Sequence, residues 1–405
     1  MAFTVNNSPN EELIKFRRQV MWTFLRGSRF DAYTGGIGSV IVRIMDLAAD
    51  GKQVNVPLMD QLRNAGVATG ALVGNEEALD SFGMPLWADW GRHAVVFQKP
   101  TLKEAAFNIR EQATPALNGW TARWRRDDMV DSLLAIPTAA IPANYHTDPG
   151  NRVNGIKWGA ATAANQNSWQ STNIDRVVFG SKVANTLSGN VSGSLLLLAA
   201  ATDKMSCAIG RLAKRMAQQT TNVSNWPAIK PWMLRDTDEE WYVCFIGTRS
   251  YRDLSQDSEM VGANEYARWR DRGDPLRDNP IFAGSHLIKD SIIYREIPEI
   301  DQRYILGTGT VQAPNGPLAG KGAAGIDVAP FFLCGQNAYA YVVGQLPRAT
   351  HRDETDYQFL RGMGIEMQYG YGKIAKAPVS AGAGGIGTLK DYGVVTGFVA
   401  AIPDA

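Results

Sequence analysis

The sequence predicts an α+β protein, and three observations lead there. Strand signals lie toward both ends: apolar and polar residues alternate in KQVNVPLMDQL (52–62) and DYGVVTGFVAAI (391–402), and HAVVFQ (93–98) returns as a strand. Helical periodicity governs TLKEAAFNIREQA (101–113), GWTARWRRDDMVDSLLAI (119–136) and TDKMSCAIGRLAKRMAQQ (202–219). The two kinds of segment fall in uneven blocks rather than in a regular strand–helix alternation, which is the pattern of an α+β chain.

Taken in order, the chain opens with an amphipathic segment, EELIKFRRQVMWTFLR (11–26), read as a helix on a core or an arm reaching a neighbouring subunit. A glycine-bearing loop, DAYTGGIGS, precedes the apolar VIVRIMDLAA (40–49). From Gly51 the alternation is that of a strand, with Pro57 marking an edge position. AGVATGALVG (65–74) is turn-rich, and HAVVFQ returns as a strand. Such a two-stranded excursion is marginal alone in water and must lie on its own domain or on another copy. Thr101 and Glu104 have capping-box spacing at a helix start, Pro115 is expected to kink or end that helix, and a second helix runs to Pro137. Pro137 to about Gly193, rich in Gly, Asn, Ser, Thr and Pro, reads as a long loop, functional or tied to partners. EEWYVCFIGT and DSIIYREI read as strands and SYRDLSQD as a helix or turn. FFLCGQNAYAYVVGQ mixes apolar and small residues, and TDYQFLRGMGIEMQYGYGKIA alternates like a paired strand.

Bulk properties narrow the function. The 405 residues are 45% hydrophobic and 20% charged, the balance of a folded protein of two or three domain-sized units. Forty-one basic against 40 acidic residues leave a net charge of +1, which argues against a broad basic face for nucleic acid and allows only a weak, local contact. Three scattered cysteines suit neither zinc nor a disulfide framework, so a reducing compartment is expected. The N-terminal stretch lacks the basic and apolar regions of a signal peptide, and LLLLAAA (195–201) is far too short to span a bilayer; a soluble protein is expected, with no membrane partner.

The chemical motifs fail one by one. Glu76 and Glu77 are adjacent, so on a strand they face opposite ways and cannot flank one bond. GAGGIG (382–387) matches a dinucleotide fingerprint by letter, but a strand-like run follows it where a helix is needed. AGKGAAG around Lys321 lacks the Ser or Thr of a phosphate loop. The four histidines, His93, His146, His286 and His351, have no partner pattern for a metal, and no G-x-S-x-G elbow occurs. No catalytic residue, metal ligand or cofactor is predicted. The eleven tryptophans are more informative, since Trp87, Trp90, Trp120, Trp124, Trp158 and Trp169 crowd the hairpin return, the second helix and the long loop, and aromatics concentrate at the centres of large interfaces.

Four stretches resemble the major capsid proteins of tailed bacteriophages of the HK97 type, in particular the family typified by the N4 phage capsid protein. They are GKQVNVPLMDQLRNAGVATGALVGNEEALDSF with GRHAVV; WYVCFIGTRSYRDLSQD; NPIFAGSHLIKDSIIYREIPEI; and GQNAYAYVVGQ through ETDYQFLRGMGIEMQYGYGKIA and KDYGVVT. The loop at 137–193 and the insert GTGTVQAPNGPLAGKGAAGIDVAP (307–330) depart from that family. The resemblance implies an N-terminal arm (1–49), an extended β-hairpin loop (50–98) and a peripheral domain with a long helix (99–235). It further implies a mainly axial domain (236–345) and closing strands returning to the peripheral domain (346–405). It implies a shell of pentamers and hexamers in a virion, made in the host bacterial cytoplasm, enclosing weakly contacted double-stranded DNA, with scaffolding and portal proteins as partners. Glu76, Glu77, Asp80, Trp87, Trp90 and Arg92 are then expected at subunit contacts. The rival readings are an encapsulin-like non-viral shell and a carbohydrate hydrolase using Glu77.

Overall fold

The computed structural model describes residues 29–48, 51–59, 66–76, 81–98, 109–142, 145–219, 228–233, 240–262, 286–355, 360–377 and 387–403. The N-terminal amphipathic segment and the predicted helix start at Thr101 lie outside them.

Short strands β1 (Thr34–Gly35) and β2 (Ile41–Ile44) come first. β3 (Gln53–Met59) and β4 (Ser81–Trp87) pair antiparallel as the hairpin, with Gln53 opposite Trp87 and Met59 opposite Ser81. β5 (Asp89–Gln98) follows after a single residue but takes a different partner. The 25-residue helix α1 (Ile109–Leu133) runs through Pro115 instead of ending there. A proline inside a helix costs about 3 kcal/mol through a lost hydrogen bond and a clash. Downstream, Leu117, Met129, Val130 and Leu133 are buried against the sheet, and that burial outweighs the penalty.

The stretch expected as a long loop is folded. It contributes β6 (Val153–Asn154), α2 (Ala163–Thr172), β7 (Val177–Phe179) and α3 (Val191–Leu196). Thr162 caps α2 by accepting from Asn165 N. The periodicity is invisible in sequence because α2 buries only Trp169 and Gln170, and the polar Gln170 hydrogen-bonds Ser194 Oγ at 3.0 Å. The predicted helix at 202–219 is α4 (Cys207–Gln218), with Ile209, Leu212, Ala213 and Ala217 buried on one face. β8 (Trp232–Met233), β9 (Glu240–Ile246), α5 (Thr248–Ser255), β10 (His286–Lys289), β11 (Ile292–Glu296), α6 (Pro298–Asp301) and β12 (Val328–Cys334) follow. The chain then forms β13 (Tyr339–Thr355), β14 (Leu360–Lys373), β15 (Ala375–Lys376), β16 (Lys390–Asp391) and β17 (Val394–Ala400).

Two large sheets result. A six-stranded sheet has the order β1-β2-β13-β14-β5, with β6 also on β14; a seven-stranded sheet has the order β10-β11-β9-β12-β17-β7, with β8 also on β9. β12 and β17 are buried at every position, so β12 is an unbroken apolar run and β17, read as an alternating strand, buries both faces including Thr396. One core cluster joins the sheets, holding Met129, Val130 and Leu133 of α1 together with Phe245, Phe332, Tyr339, Tyr369 and Phe398. Closing strand β17 lies in the seven-stranded sheet, whereas β13 and β14 lie in the six-stranded one, so the 346–405 block is shared between them.

Candidate assembly surfaces

The base of the β3–β4 hairpin packs into the body of the chain. β5 pairs with β14 over ten positions, from Asp89 opposite Tyr369 to Gln98 opposite Leu360. The return strand is therefore part of the body and not half of a free excursion, because alternation in sequence marks a strand without naming its partner. Met84, Leu86 and Ala88 are fully buried beside Val42, Ala340 and Val342 of the sheet and Ile374, and Trp87 is fully buried as well. Gly370 has no room for a Cβ, which would stand 2.0 Å from the Trp87 carbonyl oxygen. That close approach seats the hairpin on β14.

Polar groups from the 145–154 segment lock this junction. Asn154, 1% exposed, accepts from Trp87 N at 2.7 Å and donates to Trp87 O at 3.0 Å and Tyr371 O at 3.3 Å. Trp87 Nε1 donates to Asn151 O at 3.1 Å. The Asp89 carboxylate, 1% exposed, accepts from Trp90 N at 2.8 Å, Asn151 N at 2.6 Å and His146 N at 3.3 Å. His146 Nδ1 lies 2.8 Å from the same carboxylate. A buried carboxylate with four such contacts is satisfied, and its role is to hold a loop.

Helix α1 fastens both sheets through the charged run at Arg125–Asp131. Arg125 donates to the Tyr371 hydroxyl, lies 3.3 Å from Asp31, and stacks over the Tyr341 ring at 4.5 Å. Burial opposes its charge, yet these partners raise the guanidinium above its ordinary value. Asp128 Oδ2 accepts from Arg152 Nε at 2.8 Å and from the Tyr369 hydroxyl at 2.7 Å. Arg126 reaches Glu299 at 3.3 Å, and Asp131 holds Lys157 at 2.8 Å and pairs with Arg303. In sequence this run reads only as the polar face of an amphipathic helix; its long-range partners give no local signal.

The residues expected at contacts divide accordingly. Trp87 is a core residue of its own chain, fully buried because Asn154 and Gly370 draw β4 onto the sheet. Trp90 is 38% exposed and Arg92 is exposed beside it on β5. Glu76 stands on the exposed tip, its Oε2 accepting from Gly74 N at 3.1 Å. Glu77 and Asp80 lie outside the described residues. His93, on β5, stacks on Trp120 of α1 at 4.8 Å between ring centroids.

Among the described residues no group of three or more His, Cys, Asp or Glu is placed to hold a metal ion, and no helix is long and apolar enough to cross a membrane. Cys207, Cys244 and Cys334 are buried thiols; burial pushes Cys207 up to about 12 and Cys244 higher still. The insert at 307–330 is an ordered loop in which Asn315 Oδ1 accepts from Thr308 N at 2.9 Å and Gly309 N at 2.8 Å, while Leu318 is fully buried. Lys321 sits in that loop, just before a 3-10 turn at Ala323–Gly325. Of GAGGIG only Gly387 is described, where its carbonyl accepts from Thr172 Oγ1 at 2.9 Å.

A family model for phage capsid proteins matches residues 4–401. The chain belongs to the phage capsid protein family. Among solved structures, the cyanophage Pam1 capsid is similar with a TM-score of 0.75 and 26% identity, over 94% of each chain. The capsid of Ralstonia phage GP4 is similar at a TM-score of 0.63 and 17% identity, over 93% of this chain and 92% of that one. The capsid of Helicobacter pylori bacteriophage KHP30 follows at 0.60 and 13%, over 92% and 91%. No curated protein sequence matches. The α+β architecture is the HK97-type capsid fold, and this capsid protein forms the shell of a phage.

Proposed function

We propose that this capsid protein is the repeating unit of an icosahedral head, grouped in pentamers and hexamers around packaged double-stranded DNA. The observation that carries the reading is the contrast within the hairpin. Its base is buried in the subunit, while residues 66–76 stand exposed, with Leu72 70% and Val73 84% accessible. A lone subunit gains nothing from exposing two large apolar side chains at positions 72 and 73; a neighbouring copy that covers them does. Glu76, Trp90 and Arg92 are the described contact residues in this proposal, and Glu77 and Asp80 extend it along the same loop. Their charges fix register more than strength.

The six-stranded sheet with α1 fits the peripheral domain and the seven-stranded sheet the axial domain, with β17 crossing back between them. Scaffolding and portal proteins are the expected partners during assembly in the bacterial cytoplasm. With a net charge of +1 per subunit, DNA is contacted weakly and released by added salt. The role is structural and involves no turnover. The hydrolase reading finds no support in Glu76, which lies on an exposed tip and not in a cleft.

Hydrogen exchange tests the reading. Amides at Val67–Gly74 exchange fast in free subunits and slow strongly in particles seen by negative-stain microscopy, whereas those of β4 and β5 are protected in both. A purified chain that forms no shells, tubes, sheets or capsomers at high concentration overturns it.

A further inference from the structure

One corner of the seven-stranded sheet carries an apolar surface that neither the hairpin nor the core explains. It lies at edge strand β7, and residues 183–202 carry no charged side chain. Val183 is 58% exposed, Leu187 39%, Leu196 60% and Leu197 45%. In the run Leu195–Leu198 the first and last are buried, at 5% and 0%, so the two middle leucines point out by geometry and not through local unfolding. The frame is rigid. Leu187 N donates to Ser194 Oγ at 2.9 Å, placing Leu187 against α3. Asn190 N donates to Gln170 Oε1 and Val191 N to Asn167 Oδ1, each at 2.9 Å, and Ala323 N donates to Leu198 O at 3.1 Å.

We infer that this corner is a contact between copies of the chain, separate from the hairpin and resting on the shell-forming role above. Charge depletion with exposed aliphatics is the composition of an interface centre and not of a solvated surface. Size selects the occupant. Four side chains at these exposures offer roughly 400 Å² of apolar surface, about half of the ~800 Å² per partner that a stable free-standing complex needs. Such a patch is too small to hold a separate soluble protein by itself. It suffices for a second copy that is held at other contacts in the same closed shell, where each contact adds to the rest. Because the frame is already ordered, little conformational entropy is lost on docking.

Two variants test this. In Leu197→Cys the introduced thiol is the accessible one to label, since the three native cysteines are buried. A maleimide should modify Cys at 197 rapidly in free subunits and at least roughly ten-fold more slowly in shells. In Leu196→Ser/Leu197→Ser the subunit should keep its thermal unfolding temperature while the concentration needed for assembly rises roughly ten-fold or more. Equal labelling in subunits and shells overturns the inference, as does protection in both, which would mean that another segment of the same chain covers the corner. Protection that arises only when a second phage protein is added overturns it as well. If the unmodified chain forms no shells, the shell reading itself fails; if it does and position 197 stays open, only this contact fails.

Discussion

Lys373 is fully buried, and its ammonium lies 3.1 Å from Asp391 Oδ2, itself 2% exposed at the side chain. The Trp169 ring faces the same nitrogen at 5.0 Å. Replacing Lys373 with methionine keeps the aliphatic length and leaves the Asp391 carboxylate buried without its ammonium. Breaking a buried pair from one side costs about 3–5 kcal/mol, and losing the cation over Trp169 adds about 0.5–2 kcal/mol. Arg176, whose guanidinium donates to the Asp391 and Tyr392 carbonyls, remains close and holds the total near the lower end, about 4 kcal/mol. That is a large part of the roughly 5–15 kcal/mol that stabilises a typical domain. Lys373→Met/Asp391→Asn removes both charges and should recover most of the loss, because the pair itself contributes little beyond satisfying its own burial. Urea unfolding of subunits kept below their assembly concentration measures all four corners of the cycle, and a coupling of at least about 2 kcal/mol is expected. A single variant within about 1 kcal/mol of the parent, or a double variant no better than the single, would refute the reasoning.

Three further outcomes follow from the same structure. Asn154→Ala leaves the buried Trp87 N–H and carbonyl without partners, costing about 1–3 kcal/mol, and the Trp87 amide should become fast in hydrogen exchange while β9 stays protected. Trp87→Ala should cost the subunit about 3–5 kcal/mol, whereas Trp90→Ala should leave the fold intact and lower assembly yield; the reverse pattern would contradict the assignment of Trp87 to the core. Burial pushes the Asp301 carboxyl up to about 6, although Arg249 N donates to it at 2.8 Å. The folded state therefore holds this proton more tightly than the unfolded chain does. Stability falls as pH rises from about 4 to about 6, by a total on the order of 3 kcal/mol. Asp301→Asn should flatten that slope and stabilise the subunit at neutral pH, as read by thermal unfolding across that range.

The sequence revealed those parts of the molecule whose causes are local. β9, β11, α4 and α5 were readable because apolar periodicity, or an unbroken apolar run, reports burial directly. α2 was missed because one tryptophan and a buried glutamine anchor it, leaving no stripe to detect. Pro115 misled because a local penalty was outweighed by burial farther along the helix. At the hairpin, β3 and β5 were legible as strands, but β4, the true partner of β3, was not read as one, and β5 pairs with a strand some 270 residues later in the chain. Asn154, Asp89 and Asp128 act through partners 217, 57 and 241 residues away, so nothing beside them in sequence marks their roles.

The position of β17 has a consequence for how the subunit is made. That strand lies inside the seven-stranded sheet, with Thr396–Phe398 bridging β12 on one side and Val177–Phe179 on the other. During synthesis β7 therefore waits more than two hundred residues for β17, its one strand partner among the described residues, and Phe179 has no Phe398 to stack against until then. Contacts of such separation form late and slowly. The nascent chain is thus held short of its finished shape until β17 has been made, and β7 and the β12 edge that β17 will cover stay open to other strands until then.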